Sequence, residues 1–196
     1  YYFAWKIHLL IDSNQIDQAN NLISDYGLEL HKEINYADEL VYSAFVRLLL
    51  KQRKLDDAES LLSELYSFAS SYNGITRMIE LKISYTELYD LKGENEKAVE
   101  CLMEAMEMAS HEGQIFDIVF WADRLGSVLE EVYEIQADTK TKIPQKFIDK
   151  LQLTIKNKEK RKKNLVESEL SAREIDTLKL IAENLSNQEI ADQLFI

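Results

Sequence analysis

Apolar residues recur three and four positions apart through most of the chain, and this spacing predicts amphipathic helices. The alternation of apolar and polar positions that is typical of strands is scarce. One proline and five glycines in 196 residues leave few places where a long helix would break. The pattern therefore predicts an all-α chain, with 46% hydrophobic residues to supply its core.

Three polar turns interrupt the apolar helices of the first part at a regular spacing. The turns cover residues 14–19, 53–58 and 93–98, and each ends in an alanine. Each turn follows a helix that ends in two apolar or aromatic residues, and a pair of apolar residues lies three and four positions after each alanine. The unit is therefore a helical hairpin with a period near 40 residues. Because one hairpin cannot bury both its faces, we expect neighbouring hairpins to stack.

These hairpins resemble tetratricopeptide repeats, although the final proline and most of the aromatic signature of that repeat are absent. Their longer period is similar to the divergent repeats of the large ATP-dependent LuxR-type regulators related to the maltose-regulon activator. Residues 98–113 are similar to the closing repeat of that group. An ordinary helical bundle with similar turns is the alternative.

A further apolar helix is predicted over residues 114–136, where it closes the last hairpin. A polar break follows, and Pro144 suits the first turn of another helix, whose apolar positions end at Ile155. Lys or Arg occupies six of the eight positions in 156–163. We therefore predict a helical-repeat domain over 1–136, a basic linker over 137–165 that is helical at first and then frayed, and a third domain over 166–196.

Charge is distributed unevenly, so the net charge of −12 misrepresents every part of the chain. Residues 1–139 carry 26 acidic and 11 basic residues, whereas residues 140–164 carry 10 basic and 2 acidic ones. An acidic body does not bind nucleic acid with its whole surface. The basic segment is either a solvated linker or a contact to the DNA backbone through Lys160, Arg161, Lys162 and Lys163.

Two S-x-x-E pairs, Ser171 with Glu174 and Ser186 with Glu189, mark the starts of two short helices near the C-terminus. In this capping box the serine accepts from an amide of the first turn and the glutamate accepts from the amide of the serine. We predict these helices over 172–184 and 187–194.

This segment resembles the start of the LuxR-type helix-turn-helix, with Asn184 in place of the usual glycine and Thr177 in place of an aliphatic residue. The resemblance implies that the amides near Ser186, Asn187 and Gln188 meet a DNA phosphate. It also implies that the helix that reads the bases follows Ile196. The chain is thus expected to be a piece of a longer regulator that binds DNA through the complete helix-turn-helix only.

The repeat resemblance places the first helix of each hairpin on a concave face. A ligand or partner site is predicted there, and its candidate residues are His8, Ser43, Arg47, Lys51, Ile83 and Glu87. A plain solvated surface is the alternative. The resemblance to the related regulators implies that a small-molecule inducer binds at this site. A protein partner is the other possibility.

Catalysis finds no support in the sequence, so the chain is predicted not to be an enzyme. No phosphate-binding G-x-x-x-x-G-K-[ST] loop and no metal-ligand spacing occur, so no cofactor is expected here; ATP would belong to a further domain upstream. A single cysteine and the lack of a long apolar run fit a cytoplasmic protein that does not span a membrane. Homo-oligomerisation stays open.

The sequence as a whole indicates a transcription regulator, in which a helical-repeat sensor is coupled to a LuxR-type helix-turn-helix. The alternative is a protein-interaction scaffold that holds a peptide or a partner protein in the repeat groove without binding DNA.

Overall fold

The computed structural model describes residues 2–30, 32, 34–138 and 142–167 and, near the C-terminus, residues 174, 177, 180, 185 and 187–194. The described residues form helices and connecting turns with no strand, which confirms the all-α prediction. The helices are α1 (Tyr2–Asp12), α2 (Ile16–Tyr26), α3 (Glu39–Lys51), α4 (Leu55–Ser71), α5 (Ile75–Lys92), α6 (Asn95–Glu112), α7 (Phe116–Asp138), α8 (Gln145–Glu167) and α9 (Asn187–Leu194).

The chain divides into two compact units, Tyr1–Leu151 and Gln152–Ile196. The three domain ranges that the sequence suggested stay predictions.

Helices in the first unit pair as hairpins, α1 with α2, α3 with α4 and α5 with α6. Each first helix also contacts the first helix of the next hairpin, through the pairs α1 with α3, α3 with α5 and α5 with α7. Each second helix contacts the first helix that follows it, through the pairs α2 with α3, α4 with α5 and α6 with α7. These contacts stack the hairpins in chain order and place α1, α3, α5 and α7 side by side.

The three polar turns share one backbone geometry. In each turn an amide donates to the carbonyl five residues earlier: Gln15 to Leu10, Lys54 to Leu49 and Glu94 to Tyr89. The residue before each of these amides has a left-handed φ, at Asn14, Arg53 and Gly93. This is the bond that closes a helix in the Schellman motif. Each second helix therefore starts in the same register, two positions after the left-handed residue.

The alanine that ends each turn is fully buried, with 0% of Ala19, Ala58 and Ala98 exposed. A methyl group at this position lets the two helices of the hairpin approach closely. The apolar pair beyond the alanine is buried or half-buried in each hairpin, and Leu62 and Leu102 are fully buried. Burial of one leucine side chain stabilises a fold by about 1.5–3 kcal/mol.

Helix α7 contains a break at Gly126, whose φ of 47° and ψ of −130° are not helical. Apolar residues on both sides of the break are buried, among them Ile118, Leu125, Leu129 and Val132. Gly126 therefore changes the direction of the chain between two segments that both pack on the first unit.

Helix α8 begins directly after Pro144, whose carbonyl accepts from the amides of Phe147 and Ile148. Phe147, Ile148 and Leu151 are buried, as their spacing predicts. The prediction that the basic stretch frays is wrong for the described residues, because α8 continues through it to Glu167. Lysine and arginine are good helix formers, so a solvated run of them does not end a helix.

In the second unit, α9 covers Asn187–Leu194, the range predicted for the second of the two short C-terminal helices, and Ile190 on this helix is buried. Residues 174, 177 and 180 are helical, as predicted for the preceding helix. The amide of Leu185 donates to the carbonyl of Leu180, the bond that closes a turn after a helix. Ser171 and Ser186 lie outside the described residues, so the two capping boxes stay predictions.

Candidate functional site

The first helices of the stack enclose a cavity of about 240 Å³. Helices α1 and α7 give it an aromatic wall, in which the ring of Trp5 meets that of Phe120 edge-on at 5.9 Å and Phe120 meets Trp121 at 4.5 Å. Phe116, which is 69% exposed, lies at the rim. Helices α3 and α5 add polar side chains, so the cavity combines rings with charged groups.

A basic cluster surrounds Trp121 at one end of the cavity. The guanidinium carbons of Arg47 and Arg124 lie 5.0 and 4.5 Å from the ring centre of Trp121, within the range of a cation–π contact. The imidazole of His8 lies 5.5 Å from the same ring. Three helices, α1, α3 and α7, therefore deliver three basic side chains to one aromatic ring.

His8 is held neutral in this cluster. Its Nδ1 lies 3.1 Å from Nη1 of Arg47, and because a guanidinium only donates, Nδ1 must accept. The remaining proton is on Nε2, which is a donor. Burial, followed by the charges of Arg47 and Arg124, lowers the pKa of His8 to about 4, and the opposing effect of Asp12 is smaller. His8 thus contributes a neutral donor beside the two guanidinium groups.

Both arginines of the cluster have a carboxylate partner in a second hollow next to the cavity. Arg47 pairs with Asp12, whose side chain is 62% exposed, and Arg124 pairs with Glu87. Burial, with Arg47 nearby, lowers the pKa of Arg124 to about 9, so Arg124 remains a cation at neutral pH.

The opposite end of the cavity is acidic. Glu80 pairs with Arg77, and Asp117, which is 9% exposed, lies on the lining close to them. Burial raises the pKa of Asp117, and the charge of Arg77 opposes that rise. Asp117 and Arg124 are seven residues apart on α7, and seven residues of helix span about 10 Å. A carboxyl group and a guanidinium group on the lining are therefore separated by roughly the length of a small molecule.

The structure brings together five of the six residues predicted for the concave face. His8, Ser43 and Arg47 line the cavity, and Lys51 and Glu87 join Arg47 in the second hollow. Ile83 is different, because it is only 3% exposed and lines neither space. Helix α5 is packed against α3, α4, α6 and α7, so most of its faces are covered and its aliphatic side chains are buried.

Sequence reasoning missed the part of the site that α7 contributes, including Trp121 and Arg124. One signal was present, since Arg124 follows Glu87 by 37 residues, close to the repeat period, and the two side chains form an ion pair. Trp5 was also missed, although it lies one helical turn before His8.

The residues predicted to meet DNA lie on α8 and at the start of α9. Lys160, Arg161 and Lys162 are exposed on α8, and Gln188 is exposed in the first turn of α9. The side chains of Lys163 and Asn187, and the whole of Ser186, lie outside the described residues.

Other chemistry is weakly represented. No cluster of metal-ligating side chains occurs among the described residues. Burial raises the pKa of the Cys101 thiol to about 11, so the reactive thiolate is disfavoured. In the part of the chain that the structure describes, every helix is too short or too polar to cross a membrane.

The described part of the chain is all helical, and comparison with known families finds a helix-turn-helix domain at the C-terminal end. Residues 168–196 match the family described as bacterial regulatory proteins, luxR family. The match supports a DNA-binding transcription regulator. No curated protein and no solved structure matches the chain.

Proposed function

We propose that this protein is a LuxR-type transcription regulator whose stacked hairpins sense a ligand or partner and whose C-terminal segment binds DNA. The luxR-family match over residues 168–196 carries the proposal. Helix α9 starts at Asn187, the position predicted from the sequence for the second short C-terminal helix, and this agreement supports the proposal.

On the DNA side, the start of α9 is suited to a phosphate, because the N-terminus of a helix carries a partial positive charge. The exposed cations Lys160, Arg161 and Lys162 add a second phosphate-binding surface on α8. Such contacts fix the position of a protein on the duplex, whereas base-edge contacts give sequence selectivity.

On the sensing side, we assign the cavity between α1, α3, α5 and α7 as the site of the inducer. A concave space with an aromatic wall and a few converging polar groups is the usual form of a small-molecule site. The hairpin contacts and the shared turn geometry support a tetratricopeptide-like stack, as in the ATP-dependent regulators of the maltose type. A regulator of this kind acts in the cytoplasm, and any ATP would bind outside the two units of this chain.

The test uses the protein as the cell makes it. It measures whether this protein selectively retains promoter fragments from the genome of its own organism. The change Ile190→Asp puts a carboxylate at a buried position of α9, which costs several kcal/mol because the charge has no partner there. We expect this variant to lose selective retention.

Gln193→Asp is the matched control, because it adds the same charge at an exposed position of the same helix. It should retain the same promoter fragments as the wild type. Equal retention by Ile190→Asp and the wild type, or no selective retention by either, would favour the protein-interaction scaffold over the regulator.

A further inference from the structure

We propose that the cavity binds a small aromatic carboxylate with a hydrogen-bond donor at the end opposite the carboxylate, the class represented by 4-hydroxybenzoate. The inference rests on the sensing role proposed above and names the chemical class of the inducer.

Size and wall chemistry favour a single aromatic ring. A cavity of about 150 Å³ accommodates benzene, so about 240 Å³ holds one ring with substituents. The ring of Phe120 contacts the rings of Trp5 and Trp121 edge-on rather than face to face. Such a wall offers ring faces and edges to a planar ligand, and aromatic pairs of this kind contribute beyond simple burial.

The basic end selects a carboxylate. Arg47 and Arg124 converge on Trp121 from two helices. Each guanidinium has five N–H donors, and a single carboxylate partner does not occupy all of them. Nε2–H of His8 adds a neutral donor to the same wall. Burial is the main cause of the lowered pKa of His8, and the charges of Arg47 and Arg124 lower it further. His8 therefore stays a neutral donor, and a ligand anion at this end is favoured by the two guanidinium groups that line it.

The acidic end selects a donor. Two carboxylates, Glu80 and Asp117, line this end against one guanidinium, that of Arg77, which Glu80 already engages. Glu39 also lies within 3.7 Å of Arg77, so the negative charges there outnumber the positive ones. A second carboxylate on the ligand would be repelled, whereas a hydroxyl or amine donates to Asp117. The separation of about 10 Å along α7 fits one ring with a polar group at each end.

The protein contains its own reporter for this cavity. Its only two tryptophans are Trp5 and Trp121, and both line the wall. Tryptophan fluorescence therefore reports binding at this site, and isothermal titration calorimetry measures the affinity. The probes are 4-hydroxybenzoate, its neutral isostere 4-hydroxybenzamide, and benzoate, which lacks the distal donor.

We expect 4-hydroxybenzoate to bind at least about tenfold more tightly than the amide, since a tenfold ratio corresponds to one charge-assisted contact. Benzoate should bind more weakly than 4-hydroxybenzoate. Arg124→Met should lose the preference for the acid over the amide, while Arg53→Met, in the exposed turn between α3 and α4, should keep it. Equal affinity of the wild type for the acid and the amide, or no binding of either, overturns the proposal.

Circular dichroism shows whether Arg124→Met folds. If it does not, Arg124→Lys replaces it. Lysine keeps the charge but lacks the forked donors, so this variant should weaken the binding of the acid more than the binding of the amide.

A neutral disaccharide is titrated in parallel. A tryptophan response to the disaccharide alone overturns the aromatic-acid class and leaves the sensing role in place, and the promoter retention test is independent of both results.

Discussion

At the scale of single residues, the left-handed position in the turn of each hairpin is occupied by a different residue type. Asn14, Arg53 and Gly93 have φ values of 58°, 60° and 74° and precede the same closing hydrogen bond in successive hairpins. Glycine adopts this conformation without a steric penalty, asparagine tolerates it, and other residues are strained there. The stability of each turn thus depends on which residue holds this position.

Gly93→Ala should lower the free energy of unfolding by about 1 kcal/mol, because a Cβ atom disfavours a φ of 74°. No neighbouring atom lies within 4 Å of the added Cβ, so the destabilisation arises from the backbone alone. Gly93→Asn should cost less, since Asn14 already occupies the equivalent position. Urea denaturation measures both changes, and equal effects of alanine and asparagine would refute the explanation.

His8 should make stability depend on pH in a defined window. The unfolded chain binds a proton near the ordinary pKa of 6.5, while the folded chain does so only near 4. The contribution of His8 is therefore complete above pH 6.5 and declines as the pH falls toward 4, by up to about 3 kcal/mol. His8→Asn keeps an acceptor for Arg47 and removes the titration.

The measurement compares the free energy of unfolding of wild type and His8→Asn between pH 4 and 7. The difference between the two curves should narrow steadily toward low pH, because only the wild type loses this contribution. His111→Asn, at an exposed position of α6, is the matched control for replacing a histidine outside the cluster. A constant difference for His8→Asn would show that the folded and unfolded chains protonate this histidine alike.

At the scale of helices, the sequence predicts what local chemistry specifies. The polar turns and their alanines locate the three hairpins, and the predicted bounds of α9 agree with the structure. The contribution of α7 to the site could not be assigned in the same way, because no polar turn with an alanine aligns it with the other first helices. Trp121 also falls within an apolar stripe, where an aromatic residue is ordinarily part of a core.

The break in α7 is another feature that the apolar pattern conceals. Spacing alone predicts one continuous helix over 114–136, and a single glycine within a helix is tolerated. At Gly126 the backbone enters a region that residues with a Cβ atom rarely adopt. Packing of both segments on the first unit, rather than local preference, maintains this conformation.

Gly126→Ala should destabilise the first unit by about 1–3 kcal/mol, the cost of a backbone strained in this way. Trp121 and Arg124 precede Gly126 by five and two residues, so a straightened α7 would also move them. Chemical denaturation and tryptophan fluorescence measure the two effects. Unchanged stability together with an unchanged emission spectrum would mean that the break is not required.

At the scale of the whole molecule, charge is divided between an acidic body and a basic helix. Residues 1–139 contain 26 acidic and 11 basic residues, and their net negative charge repels DNA, whereas the basic part of α8, residues 156–163, attracts it. If Lys160, Arg161, Lys162 and Lys163 bind phosphates, replacing all four with glutamine should flatten the salt dependence of DNA affinity. The logarithmic slope should fall by about 0.9 for each phosphate that is no longer neutralised.

Fluorescence anisotropy at several salt concentrations gives that slope. A second variant replaces four exposed lysines of the first unit with glutamine and serves as the control, at positions Lys6, Lys32, Lys54 and Lys97. Its slope should equal that of the wild type. Identical slopes for all three proteins would make the basic part of α8 a solvated linker.

The most direct test of the proposed regulator function compares two affinities at about 0.15 M salt. One is the affinity for a promoter fragment recovered in the retention experiment, and the other is the affinity for bulk genomic DNA. Specific DNA-binding proteins reach ratios of about 10³ or more. We expect the protein as the cell makes it to reach that range and Ile190→Asp to fall to a ratio near one. A ratio near one for the unaltered protein would contradict the assignment of the C-terminal segment as a DNA-binding module.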